Sequence, residues 1–244
     1  MVEGRVRLDQ ALVAQGLVSS RQRAQAMVRA GLVRVAGEVA DRPDQLVSPT
    51  VGIDLAGTKA FVSRGGEKLT AALDAFDFDP AGRVCLDVGA STGGFTDALL
   101  RRGASVVVAV DVGYGQLDFR LRRDPRVIVL ERVNIRHLDR LPVPADLAVI
   151  DVSFISLRLV LPRVSELLSP PGDVIALVKP QFEVGKGAVG KGGVVRDPEQ
   201  HRRVLNELRQ FAEENGYAIA GEIPSPILGA KGNREFLLYL RRHG

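Results

Sequence analysis

The sequence has one cysteine, no tryptophan and no long apolar run among its 244 residues. The single thiol, Cys85, excludes an internal disulfide and fits a reducing compartment. The longest apolar runs, such as Ala104–Val110, are the size of a strand and far below the roughly 20 residues that span a membrane. Arg5, Arg7 and Asp9 interrupt any apolar core that a signal peptide would need. We therefore expect a cytoplasmic protein that makes no membrane contact.

Composition and charge are those of an ordinary soluble protein. Hydrophobic residues make up 45% of the chain and charged residues 25%. The formal net charge of +4 and the pI near 9.5 are compatible with a polyanionic partner, but on their own they are a weak signal. The length leaves room for one large domain together with a small one.

Residues 1–58 are predicted to form a small α+β domain. Leu8, Leu12 and Val13 share one face at helical spacing and predict a first helix. Ser19, followed three residues later by Gln22, predicts a capping box that starts a second helix. Alternating apolar and polar residues then predict a short hairpin.

The pattern of this domain resembles a known RNA-binding module. It resembles the alpha-L RNA-binding domain, which was first seen in the fourth small-subunit ribosomal protein. Four stretches carry the resemblance: Arg7-Leu8-Asp9, Gly16-Leu17-Val18, Ser20-Arg21 and Gly31-x-Val33-x-Val35-x-Gly37. The resemblance implies that the second helix and the hairpin follow an RNA backbone. Arginines would contact the phosphates, and the candidates are Arg5, Arg7, Arg21, Arg23, Arg29 and Arg34. The alternative is that these arginines only solvate an exposed face.

A glycine-rich turn follows the first strand of the remaining chain. Val84–Val88 is a continuous apolar run ending in an acid and a valine, which is typical of a buried parallel strand. The turn leads into a helix, and this combination forms the nucleotide-cofactor corner of open α/β sheets. The glycine spacing differs from that of the dinucleotide motif. Candidate cofactor residues here are Asp87, Gly89, Ala90, Ser91, Thr92, Gly93, Gly94 and Phe95.

Strand and helix patterns alternate through the rest of the chain, after a predicted linker at 59–63. Strands are predicted at 84–88, 105–110, 126–130, 146–150, 173–178, 216–223 and 235–240. Helices are predicted at 67–76, 93–102, 115–123, 156–168 and 197–215. This alternation predicts that residues 64–244 form an α/β domain with a doubly wound, Rossmann-like, mostly parallel sheet of seven strands.

Charged residues follow four of the predicted strands. Ligands of such sheets bind beyond the carboxyl ends of the strands, where Asp87, Asp111, Asp151 and Lys179 would gather. Asp111 lies about twenty residues beyond the glycine turn, as does the acid that binds a ribose hydroxyl. Enzymes that use NAD and enzymes that use S-adenosylmethionine both have such an acid. Lys179 suits proton abstraction or stabilisation of developing negative charge, and a structural lysine paired with an acid is the alternative.

A glycine- and lysine-rich segment, Gly185–Gly193, precedes the last predicted helix. It is either a plain surface loop or a mobile lid. In the second case Lys186 and Lys191 would meet RNA phosphates.

Motifs spread over the whole chain resemble those of the TlyA family. They are Asp87–Phe95, Asp151–Ser156, Val178–Glu183 and Gly232–Phe236. The resemblance implies an alpha-L RNA-binding domain joined to an FtsJ-like methyltransferase domain, which uses S-adenosylmethionine to methylate ribose 2′-hydroxyls of cytidines in 16S or 23S ribosomal RNA, or both. It implies ribosomal RNA or ribosomal subunits as the partner and no metal. The catalytic residues that it implies are Lys68, Asp151, Lys179 and Glu235, with Asp151 also at the cofactor.

Missing motifs narrow the reaction type further. The segment after the fourth strand, Asp151–Phe154, lacks the prolines typical of enzymes that methylate base amino groups. Methylation at a cytosine carbon needs a cysteine nucleophile, and the only cysteine, Cys85, lies inside a predicted buried strand. Ribose oxygen is the methylation target that remains.

Three other interpretations stay open: an NAD-dependent oxidoreductase, a non-catalytic RNA-binding protein and a haemolysin-like membrane-active protein.

Overall fold

The computed structural model describes residues 4–55, 61–185, 189–190 and 192–242. The chain divides into two compact units, residues 1–59 and residues 60–244. The described end of the predicted linker is packed on the larger unit: the side chain of Phe61 packs against its core, and the backbone N–H of Val62 donates to Asp97 at 2.9 Å. Residues 61–63 are therefore part of the larger unit's structure.

The smaller unit consists of two helices and short antiparallel strands. Its elements are β1 (Val6–Arg7), α1 (Leu8–Ala14), α2 (Arg21–Arg29), β2 (Val33–Val35), β3 (Glu38–Val39), β4 (Leu46–Val47) and β5 (Ile53–Leu55). The predicted helices and hairpin are present, whereas β1, β4 and β5 were not predicted. The predicted cap is wrong by one residue: Ser20, not Ser19, caps α2 by accepting a hydrogen bond from the N–H of Arg23. Leu8, Leu12 and Val28 lie at the centre of the unit's core.

The larger unit alternates strands and helices as the sequence predicts. Its strands are β6 (Val84–Val88), β7 (Val106–Asp111), β8 (Val127–Glu131), β9 (Ala145–Ile150), β10 (Leu168–Val178), β11 (Tyr217–Pro224) and β12 (Phe236–Arg242). Its helices are α3 (Gly65–Ala75), α4 (Gly94–Arg101), α5 (Phe119–Arg122), α6 (Leu161–Leu167), α7 (Pro180–Glu183) and α8 (Pro198–Glu214).

The seven strands form one mostly parallel sheet, which confirms the predicted fold class. The order is β11-β12-β10-β9-β6-β7-β8, and β12 is antiparallel to both of its neighbours. After β8 the chain returns to the other side of β6 to form β9. The reversal creates a switch point between β6 and β9, which is where open α/β sheets form a ligand crevice.

Two apolar layers enclose the sheet, because side chains of each strand point alternately to its two faces. Leu86, Val108 and Ile150 belong to the core on one face, together with residues of α6 and α8. Cys85 and Val149 belong to the core on the other face, together with residues of α3 and α4. Cys85 is fully buried, and burial raises the pKa of its thiol to about 12, as expected for a packing residue.

Two of the predicted helices are shorter than their patterns suggest. The segment predicted at 115–123 is helical only over α5, because Gly115 has a φ of +69° and Asp118, with a non-helical ψ of 138°, caps the helix by accepting from the N–H of Arg120. The segment predicted at 156–168 is a short 3₁₀ turn, Leu157–Leu159, followed by α6. The α7 turn was not predicted at all.

Gly89 lies where the turn after β6 passes closest to the end of β9. Its φ of +85° lies in the left-handed region, and a Cβ built there would come 2.6 Å from the carbonyl oxygen of Asp151. The N–H of Asp151 donates to the carbonyl of Val88 at 2.9 Å, which holds the two chains together at this point. Only glycine fits both the conformation and the space.

We expect Gly89→Ala to destabilise the protein more than Gly82→Ala does. Gly82 also has a positive φ, +74°, but a Cβ there would meet no atom within 4 Å. The control therefore measures the backbone strain alone, which lowers the free energy of unfolding by about 1 kcal/mol. Gly89→Ala should lower it by at least about 1 kcal/mol more, because the ends of β6 and β9 must separate to make room for the Cβ. Urea unfolding of both variants checks this, and equal losses would contradict the close approach.

Candidate active site

The glycine turn, residues 89–93, is held to β7 by its own backbone. The N–H groups of Gly89 and Ala90 both donate to the carbonyl of Val110, at 2.8 and 3.2 Å. The N–H of Ser91 donates to Asp111 at 2.8 Å. These amides therefore brace the turn against β7.

A pocket of about 150 Å³ lies at this edge of the sheet. It is lined by Ser63, Gly65, Gly89, Ala90, Ser91, Thr92, Gly94, Phe95, Asp151, Ser153 and Lys179. Most of the predicted cofactor residues thus border one cavity. Ser63 and Gly65 were not predicted, because nothing in the sequence tells which part of the α3 entry reaches the turn.

Asp111 stands at the end of β7, beside the pocket. Its two carboxylate oxygens accept from the N–H of Ser91 at 2.8 Å and the N–H of Gly113 at 2.6 Å. Both bonds leave further lone pairs on the carboxylate. A smaller cavity separates Asp111 from Glu131, the last residue of β8. Asp111 therefore lies where the sequence predicted an acid for a ribose hydroxyl.

Asp87 is a fully buried carboxylate just below the turn. One of its oxygens accepts from the hydroxyl of Thr96 at 2.6 Å, and the other has no hydrogen-bond partner in the described part of the chain. Burial, and to a smaller extent the negative charges of Asp151 and Asp111, raises the pKa of Asp87 to about 7, although the hydrogen bonds from Thr96 offset part of the rise. The unpartnered oxygen can accept from an ordered water or from a hydrogen-donating group that reaches below the turn.

Lys179 and Asp151 form an ion pair at the mouth of the pocket. The Lys179 Nζ lies 2.6 Å from Asp151 Oδ1, and it donates to the hydroxyl oxygen of Ser153 at 2.8 Å. The side chains of the two charged residues are 11% and 24% exposed. The amine is thus held from two sides by the loop after β9 while it borders the pocket. Ser153 was not predicted, although it lies inside a quoted motif.

Lys68 and Glu235 form a second and more deeply buried ion pair. The Lys68 Nζ lies 2.5 Å from Glu235 Oε2, with side-chain exposures of only 9% and 3%. Lys68 comes from the first turns of α3, and Glu235 directly precedes β12. Gly229 is required beside this pair, because a Cβ at that position would overlap the Glu235 carboxylate.

Strand register explains how residues so distant in sequence reach one edge. Val178, the last residue of β10, pairs with Phe236, the first of β12. The next residues outward are Lys179 on one strand and Glu235 on the other. The parallel register of β9 with β10 puts Asp151 one strand further along the same edge. The four residues that the TlyA resemblance implies are thus two ion pairs at neighbouring strand ends.

In the smaller unit, a buried aspartate organises two of the predicted RNA-binding arginines. Asp9 accepts from Arg7 at 3.1 and 3.0 Å, from Arg21 at 3.2 Å and from Gln25 at 2.8 Å. These bonds, chiefly that of Arg7, hold the pKa of Asp9 well below its usual range. The side chains of Arg7 and Arg21 are still 40% and 52% exposed. Two cations are therefore fixed at the surface.

The remaining predicted RNA contacts divide into two groups. Arg5, Arg23, Arg29 and Arg34 are exposed, and Arg34 also donates to the carbonyl of Gly37. Lys186 and Lys191 lie outside the described residues.

Two features are absent from the described residues. None of their helices is both long and apolar enough to cross a membrane. No group of three or more His, Cys, Asp or Glu side chains could hold a metal ion within that same part of the chain.

Comparison with known proteins matches both units. The model of the FtsJ-like methyltransferase family matches residues 61–242, and that of the S4 domain matches residues 6–52. The 16S/23S rRNA (cytidine-2'-O)-methyltransferase TlyA of Mycobacterium tuberculosis is 50% identical over 97% of this chain and 90% of its own length. Hemolysin A of Brachyspira hyodysenteriae is 38% identical over 96% of this chain and 99% of its own.

Solved structures agree with these matches. A structure described as a hemolysin from Streptococcus thermophilus is 42% identical, with a TM-score of 0.73 over 99% of this chain and 90% of its own. An S-adenosylmethionine dependent methyltransferase from Mesorhizobium loti shares the fold at 17% identity, with a TM-score of 0.53 over 70% of this chain and 96% of its own. By sequence, by fold and by the order of its two units, the chain belongs to the TlyA family, in which an S4 domain precedes an FtsJ-like methyltransferase domain.

Proposed function

We propose that this protein transfers a methyl group from S-adenosylmethionine to the ribose 2′-oxygen of cytidines in ribosomal RNA. The observation that carries the proposal is the Lys179–Asp151 ion pair, 2.6 Å long, at the mouth of the pocket beside the glycine turn. The Mycobacterium tuberculosis relative, which is 50% identical, is a 16S/23S rRNA (cytidine-2'-O)-methyltransferase, and this supports the same reaction. A family match over residues 61–242 supports methyl transfer in general.

The pocket residues fit S-adenosylmethionine. Asp111 offers a carboxylate to a ribose hydroxyl, and the buried Asp87 has an oxygen without a partner in the described residues for an amino group or an ordered water. A Cβ at Gly94 would overlap the hydroxyl of Ser63, so the lack of a side chain lets the start of α4 pack closely against the entry of α3 at the pocket. The bound cofactor supplies an electrophilic methyl group.

The lysine–acid pairs supply the rest of the chemistry. A ribose hydroxyl is a weak nucleophile, so a group near its oxygen must accept the proton or offset the negative charge that develops. Lys179 is the candidate for that role because it borders the pocket, and Asp151 and Ser153 orient its amine. The buried Lys68–Glu235 pair adds a second fixed charge pair at the same edge. Orientation of the hydroxyl supplies a further part of the rate.

An oxidoreductase leaves these groups without a role. NAD would also use Asp111 and the glycine turn, but hydride transfer to or from nicotinamide gives no reason for two lysine–carboxylate pairs at neighbouring strand ends.

The exposed arginines of the S4 domain would hold the RNA backbone, with Asp9 fixing Arg7 and Arg21. Ribosomal RNA, free or within a subunit, is the partner that we propose.

We expect Lys179→Ala to lower the rate of methyl transfer at least about 100-fold, the lower range for loss of a positioned acid–base group. Affinity for S-adenosylmethionine should change little, because the turn and Asp111 are untouched. Transfer of tritiated methyl to ribosomal RNA, with calorimetry for the cofactor, separates these two effects. Unchanged turnover would remove Lys179 from its proposed role.

RNA affinity should fall steeply with salt, because each phosphate contact releases counterions. Arg21→Ala should reduce the slope of log affinity against log salt by about 1. The control is Arg202→Ala, which removes an exposed arginine of α8, outside the S4 domain. Filter binding at several salt concentrations measures both variants, and equal slopes for Arg21→Ala and Arg202→Ala would contradict an S4-domain contact.

The raised pKa of Asp87 predicts a pH dependence of stability. Its pKa is about 7 in the folded protein, well above the value of a free aspartate. The folded state therefore holds the proton more tightly than the unfolded state does. The protein consequently loses stability as the pH rises from the pKa of a free aspartate to about 7. Asp87→Asn removes this titration. The Tm of the variant minus that of the cofactor-free wild type should therefore increase from pH 5 to pH 8.

The matched control for this pH series is Asp79→Asn, which changes an exposed carboxylate. Its Tm should follow that of the wild type across the whole range. Parallel curves for Asp87→Asn and wild type would contradict a proton held by Asp87 near neutral pH.

A further inference from the structure

Glu183 is a buried acid that the proposed chemistry does not use. It is the last residue of α7, one turn after Lys179, and it is only 8% exposed. One carboxylate oxygen accepts from the hydroxyl of Ser156 at 2.6 Å, and the other accepts from the backbone N–H of Leu157 at 2.9 Å. Burial raises the pKa of Glu183, and these two bonds partly offset that rise.

The two bonds tie the α7 turn to the loop that follows β9. That loop begins with Asp151 and contains Ser153, which both contact the amine of Lys179. Its far end is Ser156, which also caps the 3₁₀ turn by accepting from the N–H of Arg158 at 3.2 Å. The loop is therefore joined to the lysine-bearing segment at both of its ends.

The middle of the loop is strained and needs such an anchor. Phe154 has a φ of +64°, which is unfavourable for a residue with a side chain, and it is 91% exposed. A strained, exposed residue persists only when its surroundings hold it. Its ring packs on Phe182, with centroids 5.0 Å apart, and Glu183 fixes the loop two residues further on.

We propose that Glu183 is a positioning residue: it clamps the Asp151–Ser156 loop to α7 and so holds the Lys179 amine between Asp151 and Ser153 for methyl transfer. The inference rests on the proposed function, since it gives the Lys179–Asp151 pair its catalytic purpose. Glu183 acts through the loop and touches no reacting atom. A carboxylate suits this task because both of its oxygens accept a bond, whereas an amide offers one acceptor.

The test compares Glu183→Ala with Asp173→Asn. Asp173 is an equally buried carboxylate, also 8% exposed, toward the other end of β10, where it pairs with Arg83 and accepts from Tyr239. Both variants lose buried polar contacts and should have a lower Tm. In single-turnover methyl transfer, at a temperature where both are folded, Glu183→Ala should be slower by about tenfold or more. Asp173→Asn should keep the wild-type rate.

Conservative variants refine the result and protect the test against a folding failure. Ser156→Ala removes one of the two bonds and should lose less activity than Glu183→Ala. Glu183→Gln keeps the size and one acceptor, so its rate should lie between those of wild type and Glu183→Ala. The KM for S-adenosylmethionine should stay within about threefold of wild type, because the clamp and the glycine turn are separate.

A second measurement does not depend on activity. Lys179 is only 11% exposed, so an amine-acetylating reagent should modify it slowly. Lys231, an exposed lysine of the segment before β12, serves as the internal reference. In Glu183→Ala, and to a smaller extent in Glu183→Gln, mass spectrometry should show faster acetylation of Lys179 relative to Lys231. Asp173→Asn should leave this ratio unchanged.

Each outcome decides one of the two proposals. Unchanged Lys179 labelling in Glu183→Ala and Glu183→Gln would overturn the clamp, as would equal rate losses in Glu183→Ala and Asp173→Asn. If the wild type transferred no methyl group to ribosomal RNA while acetylation of Lys179 was still faster in Glu183→Ala, the proposed function would fail. The clamp would stand, and Lys179 would have another role.

Discussion

The site depends on one constraint of the parallel sheet: β6, β9 and β10 all end at the same edge. The chain reverses direction across the sheet between β6 and β9, and the N–H of Asp151 bonds to Val88 at that reversal. The glycine turn and the loop after β9 therefore face each other across a narrow crevice. Gly89 is the contact point, since no side chain fits between the two backbones there. Every group in the proposed chemistry is placed relative to this contact.

The two lysine–carboxylate pairs differ in exposure, and the difference suggests different tasks. The Lys68–Glu235 pair is almost fully removed from water, so loss of either partner would leave an unpaired buried charge. The Lys179–Asp151 pair is more open and borders the pocket. An open pair can exchange a proton with a ligand, whereas a buried pair mainly fixes the surrounding charges. The assignment of proton handling to Lys179 follows from this contrast.

Both units use a buried carboxylate to hold in place the cations that we propose for catalysis or for RNA binding. Asp9 fixes Arg7 and Arg21 directly, through charged hydrogen bonds. Glu183 acts at one remove, through the loop that contacts Lys179. In each case the acid is buried while the cation keeps an exposed or pocket-facing side. Such preorganisation lowers the conformational entropy that long side chains would lose on binding.

The sequence was enough to predict the fold class, the seven strands of the larger unit and the glycine turn, because apolar periodicity and glycine turns are local properties. It also named Lys68, Asp151, Lys179 and Glu235 through resemblance, without showing how they meet. Their pairing arises only on folding. The register of β9 with β10 brings Asp151 to Lys179, and the packing of α3 against the sheet brings Lys68 to Glu235, so both pairs join parts of the chain that are far apart in sequence. The same holds for Glu183, whose partners lie on a loop that no local pattern connects to α7.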